Sequence, residues 1–246
     1  MTSVECVDFD LRKQIEIILQ DAYIQKCIGQ VEFPETIVQM LEILFSNTSF
    51  DESKKKHLGV AATLLQMGLE MHAQASSDQS KTPRMRTRQQ LVLAGDYYSS
   101  LFYRFLVQHE EFSLIDYFCK NILLINEAKL SLHVKLREQK KYDMEMLANH
   151  KKVTSGLLLA VADYFRSQED FIFLWKKTIS MSLLLNDLKK SGIWQDFPPS
   201  LKQRLYQEWN ELQLEMDRLE EGPKQQLLSL LYAFESFIQK FALKES

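Results

Sequence analysis

The stretch from Gln89 to Leu106, QQLVLAGDYYSSLFYRFL, decides the fold that this sequence predicts. Its apolar residues recur at steps of three and four, which indicates one long helix of roughly 27 Å. The residues that share one face of this helix are Leu91, Ala94, Tyr98, Leu101, Phe102 and Phe105. Leu93, Tyr97 and Tyr103 lie off that face, so the apolar arc is wider than that of an ordinary surface helix. Two interpretations fit: a central core helix, or a core helix that also contacts a partner chain.

The composition of the chain favours helices throughout. Its 246 residues include only seven Gly and five Pro, which leaves little material for tight turns. Leu, Gln, Glu, Lys and Met, all good helix formers, are plentiful. We therefore predict an all-α fold. No repeat or linker divides the pattern, so we predict that residues 1–246 form a single domain that is large enough to bury a substantial core.

Several classes of function are disfavoured by charge and cysteine content. A formal net charge of −3 provides no field suited to nucleic acid, so we expect no such partner. Three cysteines without a pattern indicate neither a disulfide framework nor a zinc knuckle. We recognise no signal peptide at the start of the sequence and no uncharged window of about twenty residues. A cytoplasmic protein without a transmembrane helix is the expectation.

Periodic segments on both sides of the central stretch predict further helices. Lys54, Lys55 and Lys56 should form a solvated face at the start of one of them, which Asp51 would cap. Ala73 to Arg88 has no hydrophobic period and is predicted to be a loop. The predicted helices start near Asp8, Pro34, Asp51, Gln89, Leu114, Met144, Phe171, Leu201 and Gln225, with breaks near Gly29, Asn47, His109, Lys140, Gly192 and Gly222.

Motifs that would carry catalysis are not recognisable in the sequence. It contains no glycine-rich phosphate loop, HExxH motif or nucleophile elbow. His72 lies on an apolar stripe, where a histidine is more often a core residue than a ligand. Asp187, beside Asn186, is more readily a cap or an ion-pair partner than a metal ligand, because Mg²⁺ requires several oxygens at once. The residues alone therefore predict a helical domain, with a partner as the sharper interpretation.

Two segments resemble the trans-prenyl diphosphate synthases. VLAGDYYSSLFYRFL, from Val92 to Leu106, resembles their LAGDYL-type helix, and AATLLQMGLEMH, from Ala61 to His72, resembles the helix that leads into their first aspartate-rich motif. A third segment, LINEAKLSLH, from Leu124 to His133, resembles the INE helix of the small-subunit family named next. The order of His72, a polar loop, Arg88-Gln89 and VLAGDY is most similar to the small-subunit family of bacterial two-component heptaprenyl diphosphate synthases. This resemblance covers about residues 58–165.

Departures from the catalytic synthases are as informative as the likeness. Where those enzymes carry DDxxD, this chain continues with Ala73, Gln74 and Ala75. Where they carry a second such motif, it has LLLNDLKK. The resemblance therefore implies no catalytic residue and no metal ligand in this chain, with Mg²⁺ bound by a partner subunit. The residues that it marks as degenerate motif remnants are His72, Asp96, Asn186 and Asp187.

What the resemblance implies is a division of labour in making a menaquinone side chain. A catalytic large subunit would bind the isoprenoid diphosphates, and this chain would dock on it, support its activity and help to set product length. Docking would use the LAGDY helix, and the same helix could close the floor of the product tunnel. The residues expected at the interface or floor are Tyr97, Tyr98, Leu101, Phe102 and Phe105, although packing in the chain's own core is an equal alternative for each. Whether the chain forms a homodimer when the partner is absent stays open.

Three alternatives stay open at this point. Arg84, Arg86 and Arg88 could screen diphosphate at the tunnel mouth, although solvated loop residues are the simpler interpretation. The chain could be a free-standing enzyme of the terpene-synthase type with an unusual metal site, which would have to recruit Asp163, Glu169, Asp170 and Asp187. It could also be a helical scaffold or interaction protein.

Overall fold

A computed structural model describes residues 10–20, 25–26, 32–76, 85–138, 141–165 and 169–242. Every regular element in these ranges is a helix, so the predicted all-α class is confirmed. The α-helices are α1 Leu11–Leu19, α2 Glu35–Ser46, α3 Glu52–Ser76, α4 Met85–Gln108, α5 Phe112–Arg137, α6 Met144–Tyr164, α7 Asp170–Ser191, α8 Pro199–Met216, α9 Glu221–Tyr232 and α10 Glu235–Ile238. Short 3₁₀ helices span Ile193–Asp196 and Gln239–Phe241.

Contacts divide the chain into two compact units. The first comprises the described residues within Met1–Phe45 and Ser49–Asp116, and the second those within Ser46–Thr48 and Tyr117–Ser246. The helix α5 passes from one unit into the other. That residues 1–246 form one domain stays a prediction, and each unit is described below by itself.

The first unit is organised around the pair α3 and α4, which make its most extensive helix contact. Two glycines allow this close approach. A Cβ atom on Gly68 would lie 2.9 Å from Ser99 Oγ and 3.1 Å from the Gly95 carbonyl oxygen, closer than side chains normally come. A glycine inside a helix allows a neighbouring helix to come this close, and Gly68 does so here. On the far side of α3, Gly59 faces Phe45 and Leu11 in the same way.

The second unit is built around α7. This helix contacts α6, α8 and α9, and its side chains are buried on several faces. Trp175, Leu184 and Leu185 are fully buried along it, so its sequence is apolar almost all round. Gly192 ends the helix in the left-handed conformation with φ 74°, as a C-terminal glycine commonly does. The predicted helix from Phe171 to a stop at Gly192 is confirmed.

Helix ends differ from the predictions where exposed residues lack a hydrophobic signal. The loop predicted for Ala73 to Arg88 is too long, because α3 continues to Ser76 and α4 begins at Met85. Helical turns that face solvent need no apolar residues, so hydrophobic periodicity does not mark them. Met, Arg and Gln are good helix formers, so a helix can include them without such a signal. Gly222 and Pro223 lie inside the first turn of α9 rather than before it, since proline is tolerated there.

The solvated lysine face predicted at the start of α3 is wrong for two of its three residues. Lys55 is buried and pairs with Glu52 at 2.6 Å. Lys54 pairs with Glu111, which is itself buried. Glu111 lies far from Lys54 along the chain, so the local sequence could not predict this ion pair. The predicted cap is confirmed, because the Asp51 side chain accepts a hydrogen bond from the Lys54 backbone amide at 2.9 Å.

Candidate functional site

The helix α4 separates its apolar residues onto two opposite sides. On one side, Tyr98, Leu101 and Phe102 are buried in the core of the first unit. Phe102 is 0% exposed, and its ring lies edge-on to that of Tyr103 with centroids 4.9 Å apart. The chain's own residues therefore cover these three side chains. Tyr97 and Phe105 are half-buried at the edges of this side.

On the other side of α4, apolar side chains face solvent. Leu93 is 67% exposed and Tyr103 is 43% exposed, with Val92 and Val107 exposed beside them. Asp96 and Arg104 lie on the same side and are also exposed. A helix of 24 residues is about 36 Å long, so these side chains form an apolar strip over several turns with charges along it. We call Val92, Leu93, Tyr103 and Val107 the outer strip.

The C-terminal end of α4 is held by a buried carboxylate. Glu111, just before α5, accepts hydrogen bonds from Lys54 and from His57 Nδ1, the latter at 2.8 Å. Burial favours the neutral acid, but these two hydrogen bonds outweigh it, so the pKa of Glu111 lies below its ordinary value. Glu110 precedes it in the left-handed region, with φ 57°. The turn thus fixes where α4 stops against the start of α3.

His72 and Asp96 meet across the α3 and α4 contact. The His72 ring lies over Gly95, where an added Cβ atom would be 2.7 Å from ring atoms. His72 Nε2 is 3.5 Å from Asp96 Oδ1. The ring is partly exposed rather than a core histidine as expected. The glycine of the LAGDY segment therefore makes room for the histidine that ends the preceding apolar helix pattern.

Asp187 takes part in a polar chain inside the second unit. Its Oδ2 atom is 2.8 Å from His150 Nε2, and His150 Nδ1 is 2.6 Å from the Tyr142 hydroxyl. His150 and Tyr142 are buried, whereas Asp187 is about half exposed. Burial, together with the negative charges of Asp187 and Asp143, raises the pKa of Tyr142 above its ordinary value. The expected role of Asp187 as an ion-pair partner fits this geometry.

The residues at the two motif positions do not fit a magnesium site. Asp187 Oδ2 contacts an imidazole, and its neighbour Asn186 is an amide on the same turn of α7. Ala73 and Gln74 stand exposed where a first carboxylate cluster would be needed. Mg²⁺ prefers several carboxylate and phosphate oxygens in octahedral geometry. Among the described residues, no group of three or more His, Cys, Asp or Glu is arranged to hold a metal ion.

The three arginines near the start of α4 are only partly described. Arg84 lies outside the described residues, and Arg86 lies in the first turn of α4 without a described side chain. Arg88 is half-buried on the helix, not in a loop as expected. Their screening of diphosphate stays a prediction, as does any tunnel floor formed by α4.

Two groups at these sites were not recognised in the sequence. Tyr142 and His150 complete the chain that ends at Asp187, and Glu111 joins Lys54 to His57. The His150–Asp187 link joins two helices, and Glu111 joins α3 from a distant turn, whereas Tyr142 lies just before the helix that carries His150. Periodicity reports which face of a helix is buried, but not which polar groups meet across it. The sequence around His150, NHKKVTSG, offers no local signal for these contacts.

Substitutions in the polar chain should measure its contribution to stability. We expect His150→Ala to lower the free energy of unfolding by about 1–3 kcal/mol, because the buried Tyr142 hydroxyl loses its 2.6 Å partner and keeps only a 3.4 Å contact with the Met146 carbonyl oxygen. Asp187→Asn, which keeps an acceptor at a half-exposed position, should cost less than about 1 kcal/mol. Urea unfolding followed by circular dichroism measures both. A larger cost for Asp187→Asn than for His150→Ala would contradict this assignment.

The described residues form only helices, and one side of α4 exposes a strip of apolar side chains, a feature that is typical of helical proteins that associate with a partner. The family model described as heptaprenyl diphosphate synthase (HEPPP synthase) subunit 1 matches residues 21–239. Because this match spans most of the sequence, the chain belongs to that family.

A curated relative carries the same description. Heptaprenyl diphosphate synthase component 1 from Geobacillus stearothermophilus is 30% identical over 142 residues. These cover 58% of this chain and 62% of that protein, so the aligned part spans less than two thirds of the relative's length. Both names describe one component of a synthase with more than one. No solved structure matches the chain. No helix in the described ranges is long and apolar enough to cross a bilayer.

Proposed function

We propose that this chain is the small, regulatory component of a heptaprenyl diphosphate synthase. It docks on a catalytic large subunit that carries the aspartate-rich motifs, Mg²⁺ and the isoprenoid diphosphates. Docking supports the activity of that subunit and helps to set the length of a polyprenyl chain for menaquinone. A trans-prenyl synthase type of helical bundle and a cytoplasmic location belong to the same proposal.

The outer strip of α4 is the observation that supports docking best. The side of this helix that faces the core is already filled by its own unit, yet Leu93 and Tyr103 remain exposed on the opposite side. Large apolar side chains grouped at the surface favour association, and Tyr is among the residues enriched in interfaces. The strip lies on α4, the helix that contains the LAGDY segment, and the family resemblance assigns this helix to subunit contact.

The proposed partner is the catalytic large subunit, because this chain lacks the carboxylate motifs that bind metal ions beside an allylic diphosphate. Departure of diphosphate from an allylic carbon develops positive charge on carbon and negative charge on the leaving oxygen, which metal ions stabilise. The chain has Ala73-Gln74-Ala75 at one motif, and at the other an Asp187 carboxylate that already contacts His150. Metal chemistry must then come from another subunit, and this chain contributes an apolar surface.

Reconstitution tests this function. We expect the cognate large subunit to make long polyprenyl diphosphate from farnesyl and isopentenyl diphosphates, with Mg²⁺, at least about tenfold faster when this chain is added, as a loss of positioning costs that order. Radiolabelled product separated by chain length measures rate and length together. Equal rate and length without this chain would contradict the proposal.

The same assay distinguishes the alternatives. Diphosphate release from farnesyl diphosphate by this chain alone would support a free-standing enzyme of the terpene-synthase type. No complex with the large subunit in size-exclusion chromatography with light scattering, combined with stable self-association, would support a scaffold protein. Either result would replace the proposal above.

A further inference from the structure

A cavity of about 430 Å³ lies in the second unit, and Asp187 is not among the residues that line it. Side chains of α6, α7 and α8 line it, and its volume lies in the range typical of small-molecule sites. Met181 and Leu212 form a buried apolar part, while Phe173 is an exposed aromatic ring beside it. This volume has room for an anionic group with a few carbon atoms.

Four cationic side chains and two carboxylates line this cavity. Lys151 and Arg204 share one carboxylate: Glu208 Oε2 lies 2.6 Å from Lys151 Nζ, and Glu208 Oε1 lies 3.0 Å from Arg204 Nε. Two positive charges therefore face a single negative charge. The second lining carboxylate, Glu211, takes part in no ion pair with a described residue.

The other two cations are held by carboxylates outside the cavity lining. Lys176 pairs with Asp163, and Lys177 pairs with Glu215 at 2.6 Å. Lys177 Nζ also lies 4.6 Å from the centroid of the Phe173 ring. Ion pairs this exposed contribute little to stability, so either lysine can turn towards a ligand at small cost. With these partners the neighbourhood is neutral, so a bound anion must compete with a carboxylate.

We propose that this cavity binds a small organic phosphate or diphosphate. Lys151, Arg204 and Lys177 contact the anionic group through charge-assisted hydrogen bonds. The apolar group of the ligand lies against Phe173, Met181 and Leu212. Such a ligand contacts three helices at once and so stabilises the second unit. This site rests on the cavity alone and is independent of the proposed function.

Isothermal titration calorimetry of the purified chain with chelator present tests the proposal. The probes are inorganic diphosphate, which has the anionic group alone, and isopentenyl diphosphate, which adds a five-carbon group. We expect one saturable site, tighter for isopentenyl diphosphate, weakened by salt and accompanied by a higher midpoint of thermal unfolding. No saturation by either probe up to about 10 mM, an affinity below that of ordinary small-ligand sites, would overturn it.

Matched variants locate the binding. Lys177→Met should weaken both probes at least about fivefold, through loss of a charge-assisted hydrogen bond, while Lys189→Met, an exposed lysine on the same helix, should change neither. Glu211→Gln should tighten both about twofold by removing a negative charge from the lining. Phe173→Ala should weaken isopentenyl diphosphate alone.

Each variant outcome decides the question. A gain of affinity cannot arise from misfolding, so Glu211→Gln keeps the test valid if Lys177→Met is unstable. Equal effects of Lys177→Met and Lys189→Met would overturn the location. Equal affinities for the two probes in the wild-type chain would overturn the apolar half of the site.

Discussion

Replacing both Leu93 and Tyr103 by arginine is expected to weaken binding of the cognate large subunit at least about 100-fold, because buried aromatic and aliphatic anchors dominate interface energies. The double variant puts two charges where the partner's apolar surface would desolvate them. The residues are 67% and 43% exposed in the isolated chain, so its own folding should hardly change. Surface plasmon resonance on an immobilised large subunit measures the affinity.

A control on the second unit makes the interface result specific. Leu214 on α8 is 70% exposed and equally apolar, but it lies outside the outer strip. Leu214→Arg should leave affinity and polyprenyl product unchanged, while the double variant should lose the stimulation of prenyl transfer in proportion to binding. If the double variant keeps full affinity while its circular dichroism is unchanged, the outer strip is not the docking surface.

The helices of this fold can be predicted from the sequence because caps, apolar runs and glycines act on neighbouring residues. The caps at Asp51 and Gly192, the apolar run of α7 and the close approach at Gly68 can all be predicted from a few neighbouring residues. Helix ends such as the start of α4 were missed, since exposed polar turns have no periodic signal. The division into two units is not local either, because it depends on which helices meet.

The candidate site was predicted in part for the same reason. The wide apolar arc of α4 predicts a second apolar side with Leu93, Tyr97 and Tyr103 on it, and of these Leu93 and Tyr103 are exposed while Tyr97 is half-buried. The periodicity could not decide which residues served which side, so Phe102 was assigned to an interface or floor with its own core as the alternative. Hydrogen bonds between helices, such as that between Asp187 and His150, cannot be predicted from the spacing of residues along the sequence.

Phe102→Ala should lower the free energy of unfolding of the chain by about 3–5 kcal/mol, the usual cost of emptying a filled aromatic site. Phe102 is 0% exposed, so the lost ring leaves a cavity between α4 and the core of its unit. Tyr103→Ala, one position along, removes a ring of similar size that faces solvent, and should cost less than about 1 kcal/mol. Urea titration followed by circular dichroism measures both.

In the binding assay, Tyr103→Ala should have the larger effect and Phe102→Ala the smaller one. Tyr103→Ala should weaken the large-subunit complex, whereas Phe102→Ala, measured at a temperature where it is folded, should affect binding only through its lower stability. A loss below about 1 kcal/mol for Phe102→Ala would contradict the core assignment, since burial of a whole ring is worth more than that. Phe102 and Tyr103 are neighbours on α4, and their ring centroids lie 4.9 Å apart. Opposite effects of the two substitutions on stability and on binding would therefore show that one side of α4 stabilises the fold and the other side binds the partner.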